Sequence, residues 1–560
     1  MFKALLTAFC LFLSLTAYSQ QGYIFQDSIL VHTADGAQLS LMVMRKATDT
    51  TPLPVLLQFT IYVRDKGRDL RSLQEIADRG YVGVIAYARG KRLSPDEIWP
   101  YEYEHNDTYE VIDWISKQSW CNGSVGMFGG SYNGFSQWAA CKRLHPALKT
   151  IVPYVANRPG MGLPMENNIF INPNYEWSFY VGNNKYLDTI AGNDRRRFRN
   201  MMFSWWKTGV AYNKMDSIDG TPNRWFQRWI AHPDFDAYWQ NMAPYGDDFK
   251  QINIPVLAID GYYNDSQNSS LYYLRQMGKQ KDVYLVIGPY SHFGAQIGGD
   301  TVLNGYKVDS CAIINTKALT FAWMDHIFKN GPLPAMLHDK VNYEVMGANR
   351  WASAGDLSQH NQRLYLNTIS RALTPVKPSR LSFIEQKVDF ANRNESNNDY
   401  YPDPIIRKEI DTSNGYDFTS APFDKDLVYT GSFSGELTFS INKKDVDVGV
   451  TIYEIQPDGT YFHLSYTIIR ASYAADPTKR QLLQPGKLVH IPLNNTQFVS
   501  KQLHKGSRLL VVVNVNKNPF SQLNYGTGKD VSEETIKDAG EPLKINWYNS
   551  SYIDLPINGM

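Results

Sequence analysis

Short, uniformly apolar runs recur between residues 53 and 155 and alternate with segments of helical periodicity. The runs are PVLLQF (54–59), YVGVIAY (81–87), VGMF (125–128) and IVPYV (151–155). Parallel strands that are covered on both faces read as continuous apolar runs rather than as alternating ones. Between the second and third runs, HNDTYEVIDWISKQ (105–118) places Val111, Ile112 and Ile115 on one helical face. The alternation predicts a doubly wound α/β domain.

This pattern stops at about residue 156, and helical stretches follow in NDRRRFRNMMFSWWKTGVAY (193–212) and PNRWFQRWIAH (222–232). Strand-like runs resume with IPVLAID (254–260) and VYLVIG (283–288), and a helical pattern follows at 316–329. The simplest interpretation is a helical cap over 156–247, inserted into one α/β domain. A cap over the carboxyl ends of the strands would shape a substrate pocket and exclude water. The alternative is an independent domain that serves only for packing.

Beyond about residue 340 the apolar positions alternate with a period of two. The segments include VNYEVM (341–346), LVYTGSF (427–433), VGVTIYEI (448–455) and RLLVVVNV (508–515). Such segments, separated by turn signals, predict an antiparallel β-sandwich. The predicted domains are therefore an α/β domain over 20–155 and 248–338, a cap over 156–247 and a β-sandwich over 339–560.

The first 19 residues have the pattern of a secretory signal peptide. Lys3 precedes an apolar stretch from Ala4 to Leu15, and small residues follow up to Ser19. The stretch is too short to span a bilayer comfortably, so export is favoured over a membrane anchor. We therefore expect cleavage near Ser19 and a periplasmic or secreted protein without stable membrane insertion.

The composition of the chain excludes some classes of function but does not by itself indicate one. A length of 560 residues allows two to four domains, and a net charge of +1 gives no reason to expect nucleic acid as a partner. Beyond the signal peptide, Cys121, Cys141 and Cys311 are an odd number of thiols, and whether the first two pair is left open. The cysteines and histidines lack zinc-ligand spacing, so neither a metal nor another cofactor is expected. The oligomeric state is left open, with a homo-oligomer among the alternatives.

The strongest chemical signal is VGMFGGSYNGFSQWAACKRL (125–144). A short buried strand runs into a glycine-rich turn around Ser131, and a helix follows from about Phe135. This strand–turn–helix context is typical of a nucleophile elbow, in which the serine sits on a tight, strained turn. The backbone N–H of Tyr132, at the start of the helix, is then placed to donate to an oxyanion.

A serine hydroxyl needs a base, and His292 is the best of the 11 histidines. It lies in IGPYSHFG (287–294), on a loop just beyond a predicted strand, where catalytic side chains of α/β folds gather. The acid that orients the histidine is expected in GYYNDSQ (261–267), which offers Asn264 and Asp265. The order Ser, acid, His is that of α/β-hydrolases.

These motifs resemble those of the CocE/NonD hydrolases, which include cocaine esterase, cephalosporin acylases, α-amino-acid ester hydrolases and, more distantly, X-Pro dipeptidyl-peptidases. The family's G-x-S-Y-x-G is met by residues 129–134, its GPW-x-H by GPYSH and its G-W-Y-D by GYYN. Segments 341–351, 470–473 and 518–528 resemble its jelly-roll domain. The resemblance implies an α/β-hydrolase domain with a cap and a C-terminal jelly roll. It also implies that Tyr62 donates its hydroxyl to the oxyanion, together with the N–H of Tyr132.

The sequence departs from the family at three places. The family acid aligns on Asn264, with Asp265 next to it. The family's D-x-R-G is replaced by residues 87–90, which lack the acid, and the carboxylates that hold a substrate ammonium are replaced by Ser266 and Gln267. The last change argues against an α-amino acyl substrate.

The identity of the orienting residue decides between two kinds of protein. A one-residue shift of the loop would bring Asp265 to His292 and complete a Ser-His-Asp triad, which we favour. Asn264 in that position would lack charge and leave a weak enzyme or a binding protein. The resulting hypothesis is an exported serine hydrolase that cleaves an ester or amide through an acyl-enzyme on Ser131. The alternatives are an X-Pro dipeptidyl-peptidase-like exopeptidase and a catalytically weak binding protein.

Overall fold

A computed structural model describes residues 18–20, 22–278, 282–357, 361–412 and 414–557. Most of the predicted signal peptide lies outside these residues, and only its last two positions fall in the first strand. Within the described ranges, no helix is both long enough and apolar enough to cross a membrane.

The N-terminal part of the chain alternates strands with helices, as its apolar runs predict. Its strands are β1 (Tyr18–Gln20), β2 (Tyr23–His32), β3 (Gln38–Lys46), β4 (Leu53–Thr60), β5 (Val82–Tyr87), β6 (Cys121–Gly130) and β7 (Leu148–Tyr154). Its helices are α1 (Lys66–Asp78), α2 (Glu104–Ser116) and α3 (Tyr132–Lys142). All residues of β5 are buried, which agrees with a strand covered on both faces.

The segment predicted as a cap is mainly helical but opens with a short hairpin that the sequence pattern did not indicate. The hairpin pairs β8 (Met165–Glu166) with β9 (Ile169–Phe170). The helices are α4 (Pro173–Gly182), α5 (Arg195–Thr208), α6 (Met215–Asp219), α7 (Arg224–Ile230) and α8 (Ala237–Gln240). Asp194 and Asn223 accept backbone N–H groups at the starts of α5 and α7.

The chain then returns to the α/β domain. It adds β10 (Val256–Tyr263), α9 (Gln267–Met277), β11 (Val283–Ser291), α10 (Gly294–Ile297), β12 (Val302–Leu303), β13 (Tyr306–Lys307), α11 (Thr316–Lys329), β14 (Val341–Val345) and β15 (Arg350–Ala354). The central sheet has eleven strands in the order β1-β2-β3-β5-β4-β6-β7-β10-β11-β14-β15. The strands from β5 to β14 in this order run parallel to their neighbours.

The end of this sheet is formed by strands from the segment that was predicted to belong to the β-sandwich. The segment 341–351 was assigned to the β-sandwich, yet β14 pairs in parallel with β11 and β15 pairs with β14. The central sheet therefore extends to Ala354 rather than ending before residue 339. Period-2 alternation cannot make this distinction, because it does not specify which neighbouring strand a segment pairs with.

The remaining strands form the predicted all-β domain. They are β16 (Gln362–Leu366), β17 (Leu373–Thr374), β18 (Phe383–Val388), β19 (Ile406–Arg407), β20 (Tyr416–Thr419), β21 (Leu427–Ser432), β22 (Ser434–Ile441), β23 (Asp447–Ile455), β24 (Tyr461–Arg470), β25 (Val489–Leu493), β26 (Phe498–Leu503), β27 (Arg508–Val515), β28 (Leu543–Tyr548) and β29 (Tyr552–Leu555). Antiparallel sheets of seven and five strands form its two main layers. The α/β-hydrolase with a C-terminal β-sandwich is thus confirmed.

One hydrophobic core joins the three parts of the molecule. It contains Phe59 and Trp138 of the α/β domain, Trp229 of the cap and Phe498 of the sandwich. The thiols of Cys121, Cys141 and Cys311 are free in the structure, and the first two are buried as small apolar groups.

Candidate active site

Ser131 sits on the turn between β6 and α3 in a strained backbone conformation. Its φ of 62° and ψ of −124° lie in a region that a residue with a Cβ rarely adopts. The helix after the turn, α3, approaches the end of β7 closely. A Cβ at Gly134 would lie 2.7 Å from the carbonyl oxygen of Tyr154 and 3.0 Å from Cα of Ala156. The glycine therefore allows the helix that follows the serine to pack against the sheet.

His292 follows β11 and reaches the serine directly. Its Nε2 lies 2.8 Å from Oγ of Ser131, within hydrogen-bonding distance. A base in this position can take the hydroxyl proton as the serine attacks a carbonyl. The structure thus brings together two residues that are 161 positions apart in the chain.

The other ring nitrogen of His292 is held by Asn264. Nδ1 lies 2.8 Å from Oδ1 of Asn264, whose side chain is completely buried. The amide Nδ2 of Asn264 donates to Oδ1 of Asp260 at 2.8 Å. Because a carboxylate can only accept, this bond directs the amide nitrogen to Asp260 and the amide oxygen to His292. Nδ1 must then carry the proton, which leaves Nε2 free to accept from Ser131.

Asp265 lies beside this hydrogen bond rather than in it. Its Oδ1 is 3.5 Å from Nδ1 of His292, and its side chain is 43% exposed. The expected one-residue shift would have placed Asp265 in the orienting position, which Asn264 occupies instead. The pairing of β10 with β11 passes from Gly261–Gly288 to Tyr263–Ser291. The extra residue therefore lies on β11, the strand that leads to His292, and the loop after β10 is not shifted.

Tyr62 is placed as the resemblance implies. Its hydroxyl lies 3.0 Å from Oγ of Ser131 and accepts a hydrogen bond from Nε1 of Trp177 at 3.4 Å. Burial raises the pKa of Tyr62, an effect opposed by hydrogen bonds that include one from the backbone of Tyr132. The phenol therefore remains protonated at neutral pH and can donate to an oxyanion, alongside the N–H of Tyr132.

The serine opens into a cavity of about 450 Å³, a size that suits a small-molecule ligand. Its aromatic lining comes from all three parts of the molecule: Tyr62, Tyr101, Tyr132, Trp177, Tyr180, Tyr263, Phe293 and Tyr401. Three charged side chains also line it, namely Arg64, Glu176 and Asp265. The cavity can therefore hold an aromatic or apolar acyl group while offering charge of both signs.

Two residues of this site were missed by reasoning from the sequence. Asp260 is fully buried, and burial raises its pKa to about 6 despite hydrogen bonds from the backbone N–H of Gly261 and the amide of Asn264. A signal was present, since Asp260 ends the apolar run IPVLAID with a charged group. Trp177 gave no comparable signal, because nothing in an aromatic-rich cap marks which ring reaches Tyr62.

Arg89, the arginine of the altered D-x-R-G motif, forms ion pairs with carboxylates from other segments of the chain. Arg89 pairs with Asp35 at 2.8 Å and with Asp107 at 2.6 Å. Tyr87, which stands where the family has the acid, donates instead to Asp69 at 2.6 Å. Arg89 is therefore paired with carboxylates from two other segments of the chain, although position 87 carries none.

The fold and the site define a class of protein, an α/β-hydrolase with a helical cap and a C-terminal β-sandwich. Residues 35–294 match the X-Pro dipeptidyl-peptidase (S15 family) model, and residues 335–543 match the model of the X-Pro dipeptidyl-peptidase C-terminal non-catalytic domain. Together the two models match most of the chain, which therefore contains the catalytic and C-terminal domains of X-Pro dipeptidyl-peptidases of the S15 family.

Individual relatives agree with this assignment. Cocaine esterase from Rhodococcus sp. is 23% identical over 96% of this chain and 99% of its own length. An aminopeptidase from a marine sediment Thaumarchaeota archaeon has the same fold, with a TM-score of 0.78 at 18% identity, covering 97% of this chain and 98% of its own. An α-amino acid ester hydrolase also superposes with a TM-score of 0.78 at 19% identity, over 98% and 100% of the two chains. The resemblance to the CocE/NonD hydrolases is confirmed.

Proposed function

We propose that this protein cleaves an ester or amide bond through an acyl-enzyme formed on Ser131. The observation that carries the proposal is the continuous chain of contacts from Ser131 to His292 and on to Asn264, with 2.8 Å at both steps. Tyr62 adds a donor 3.0 Å from the nucleophile.

The reaction has two halves. Oγ of Ser131 bonds to the substrate carbonyl carbon while Nε2 of His292 takes its proton, and Tyr62 with the N–H of Tyr132 stabilises the oxyanion. His292 then protonates the leaving alcohol or amine as the carbon–heteroatom bond breaks. In the second half, water gives a proton to His292 as its oxygen attacks the acyl carbon. His292 then returns that proton to Oγ of Ser131 as the acyl C–O bond breaks, and the carboxylic acid product leaves.

Asn264 and Asp265 divide the work that one aspartate does in a Ser-His-Asp triad. Asn264 orients the ring and fixes its tautomer, while the carboxylate of Asp265 stabilises the imidazolium that forms during each half-reaction. Two unit charges at about 4 Å interact by about 1 kcal/mol in water and about 4 kcal/mol near a protein surface. Although the side chain of Asp265 is partly exposed, its charge is close enough to stabilise the imidazolium of His292.

An exopeptidase is the second candidate, favoured by the two carboxylates of Glu176 and Asp265 on the cavity wall. They could bind the ammonium of a free amino terminus. Ser266 and Gln267 do not help, because both are buried and Gln267 is bonded to the backbone of Phe498 in the sandwich. Acyl transfer without an amine requirement therefore remains the first proposal.

The deciding experiment compares matched substrates with purified protein. Aryl esters, acylated β-lactams and dipeptidyl amides are each offered with a free α-amine and with that amine acetylated. The proposed acyl hydrolase cleaves both members of a pair with similar kcat/KM. A preference of 100-fold or more for the free amine would establish the exopeptidase, and failure to cleave any substrate would favour a binding protein.

Export is part of the proposal and rests on the N-terminal sequence alone. Expression of the full chain in a bacterial host, followed by fractionation and N-terminal sequencing, tests it. A periplasmic or secreted product that begins near residue 20 supports export. A cytoplasmic product that retains residues 1–19 would contradict it.

A further inference from the structure

A second cavity, of about 380 Å³, lies where the α/β domain, the cap and the β-sandwich meet. Its wall includes Arg158 just after β7, Tyr272 on α9, Tyr245 at the end of the cap, and Asn494 and Asn495 after β25. Among the described residues, the linings of this cavity and of the active-site cavity share no member. The second cavity is therefore a separate place where a small molecule could bind.

Arg158 is the unusual member of this wall. Only 7% of it is exposed, yet its guanidinium has neither a hydrogen bond nor an ion pair within the described part of the chain. Its Cζ lies 3.4 Å from the ring centroid of Tyr272 and 4.7 Å from that of Phe235. Contact with aromatic faces stabilises the positive charge of the guanidinium. It does not provide hydrogen-bond acceptors for the five N–H groups at the guanidinium edge.

Buried cations are normally paired, because removing a charge from water is costly. Burial lowers the pKa of Arg158, and among the described residues this effect is opposed by Tyr272, Tyr273 and Tyr245, none of which is a carboxylate. The described part of the chain thus buries the positive charge of Arg158 without placing a counter-ion beside it.

The rest of the wall is also suited to an anion. Aspartate and glutamate are absent from the described lining, whereas the exposed Arg275 adds a second positive charge. A third arginine, Arg470, is already satisfied, since its guanidinium makes two 2.8 Å bonds to Asp447. A ligand that enters would therefore meet one buried cation with free donors, one exposed cation and several amides.

We propose that this cavity is a second, non-catalytic binding site for a small anion that carries a carboxylate or phosphate group, with Arg158 as its main ligand. The planar fork of a guanidinium matches both groups in a bidentate arrangement. Stacking on Tyr272 fixes the plane of the fork before the ligand arrives, which reduces the entropy lost on binding. Asn157, the preceding residue, lines the active-site cavity, so the two sites adjoin along the chain.

Isothermal titration calorimetry with inorganic phosphate and with succinate tests the proposal on the full mature chain. We expect saturable binding of one anion, and Arg158→Met, which keeps an apolar stem between the two rings, should weaken it on the order of tenfold or more. The two titrations also distinguish a phosphate site from a carboxylate site. Absence of saturable binding of either anion to the wild type would overturn the proposal.

Two further variants keep the result interpretable. Gln276→Glu places a carboxylate at an exposed position of the same wall, and it should weaken binding even if Arg158→Met fails to fold. Arg64→Met is the matched control, since it removes an arginine from the active-site cavity and should leave the anion affinity unchanged. If Arg64→Met abolishes binding while Arg158→Met does not, the anion binds at the active site and the proposed site is wrong.

Discussion

Oδ1 of Asn264 accepts the Nδ1 proton of His292 at 2.8 Å, in the position that a carboxylate holds in a Ser-His-Asp triad. In a serine protease, replacing that carboxylate by its amide costs on the order of 10⁴ in turnover, because the amide selects the wrong imidazole tautomer. Here Asp260 disfavours the wrong tautomer, because its carboxylate accepts a hydrogen bond from the amide nitrogen of Asn264. The amide oxygen therefore faces Nδ1 of His292. The buried pair of Asp260 and Asn264 thus makes an uncharged residue compatible with catalysis.

Removing the acceptor behind Asn264 should therefore impair catalysis. In Asp260→Leu the amide loses its fixed orientation and can present Nδ2 to His292, which selects the unproductive tautomer. We expect kcat to fall on the order of 10²-fold or more, with KM little changed. Steady-state kinetics on a variant whose near-UV circular dichroism matches the wild type measures this effect.

An exchange of the two side chains provides the control. Asn264→Asp alone sets two carboxylates at hydrogen-bonding distance in a buried site, so it should lose activity and stability. The double variant Asp260→Asn/Asn264→Asp restores one donor and one acceptor and should recover at least the wild-type kcat. A double variant that is no better than Asn264→Asp would show that the bond between the two positions does not govern the site.

The charge of Asp265 should affect turnover rather than substrate affinity. Asp265→Asn keeps the shape of the side chain but removes the charge 3.5 Å from His292, so kcat should fall by roughly 10- to 100-fold. Glu176→Gln, a matched change on the same cavity wall, should alter KM more than kcat. Equal kcat in Asp265→Asn and the wild type would remove Asp265 from the mechanism.

The hydroxyl of Tyr62 should stabilise the transition state. Tyr62→Phe removes one oxyanion donor, a loss that costs on the order of 10²–10³ in kcat in other acyl-transfer enzymes. Tyr180→Phe is the control, because Tyr180 lines the same cavity and its ring centroid lies 6.5 Å from that of Tyr62. Parallel measurement of both variants shows whether the effect belongs to Tyr62, and similar losses in the two would argue against an oxyanion role.

Glu104 should make stability depend on pH. Its carboxyl receives a hydrogen bond from Tyr132, and burial raises its pKa to about 8. The group is protonated in the folded state at neutral pH but ionised in the unfolded chain, so unfolding releases a proton between about pH 5 and pH 8. The contribution to the free energy of unfolding is therefore present at low pH and is lost as pH rises.

The variant Glu104→Gln isolates this contribution, because an amide does not titrate. The free energy of unfolding of the wild type minus that of the variant should fall by roughly 2–3 kcal/mol between pH 5.5 and pH 7.5. Urea denaturation at the two pH values measures the difference. A difference that stays constant would mean that Glu104 is ionised in the folded protein.

The sequence predicted most of the framework because its signals are local. Continuous apolar runs indicated the parallel strands, and the helical pattern at 316–329 coincides with α11. The β8–β9 hairpin and the placement of β14 were not predictable in the same way. A two-residue strand has no periodicity, and the choice between two sheets depends on contacts that are distant along the chain.

The candidate active site also combines residues that local sequence patterns predict with residues that they do not. Ser131 and His292 stand in motifs whose glycines and flanking strands determine the local turn. The choice between Asn264 and Asp265 depends on how the loop after β10 lies beside His292, which the residues around position 264 do not encode. The role of Asp260 likewise follows only from its burial behind Asn264. Tertiary context therefore decided the part of the mechanism that local patterns left open.

The most direct test of the proposed mechanism is the rate at which a fluorophosphonate labels the protein, followed by mass spectrometry of the modified peptide. A nucleophile activated by His292 should be labelled stoichiometrically at Ser131, with labelling abolished in Ser131→Ala and slowed on the order of tenfold or more in Asp260→Leu. A folded wild-type protein that stays unlabelled at Ser131, or that is labelled equally fast in Asp260→Leu, would contradict a working nucleophile oriented through Asn264.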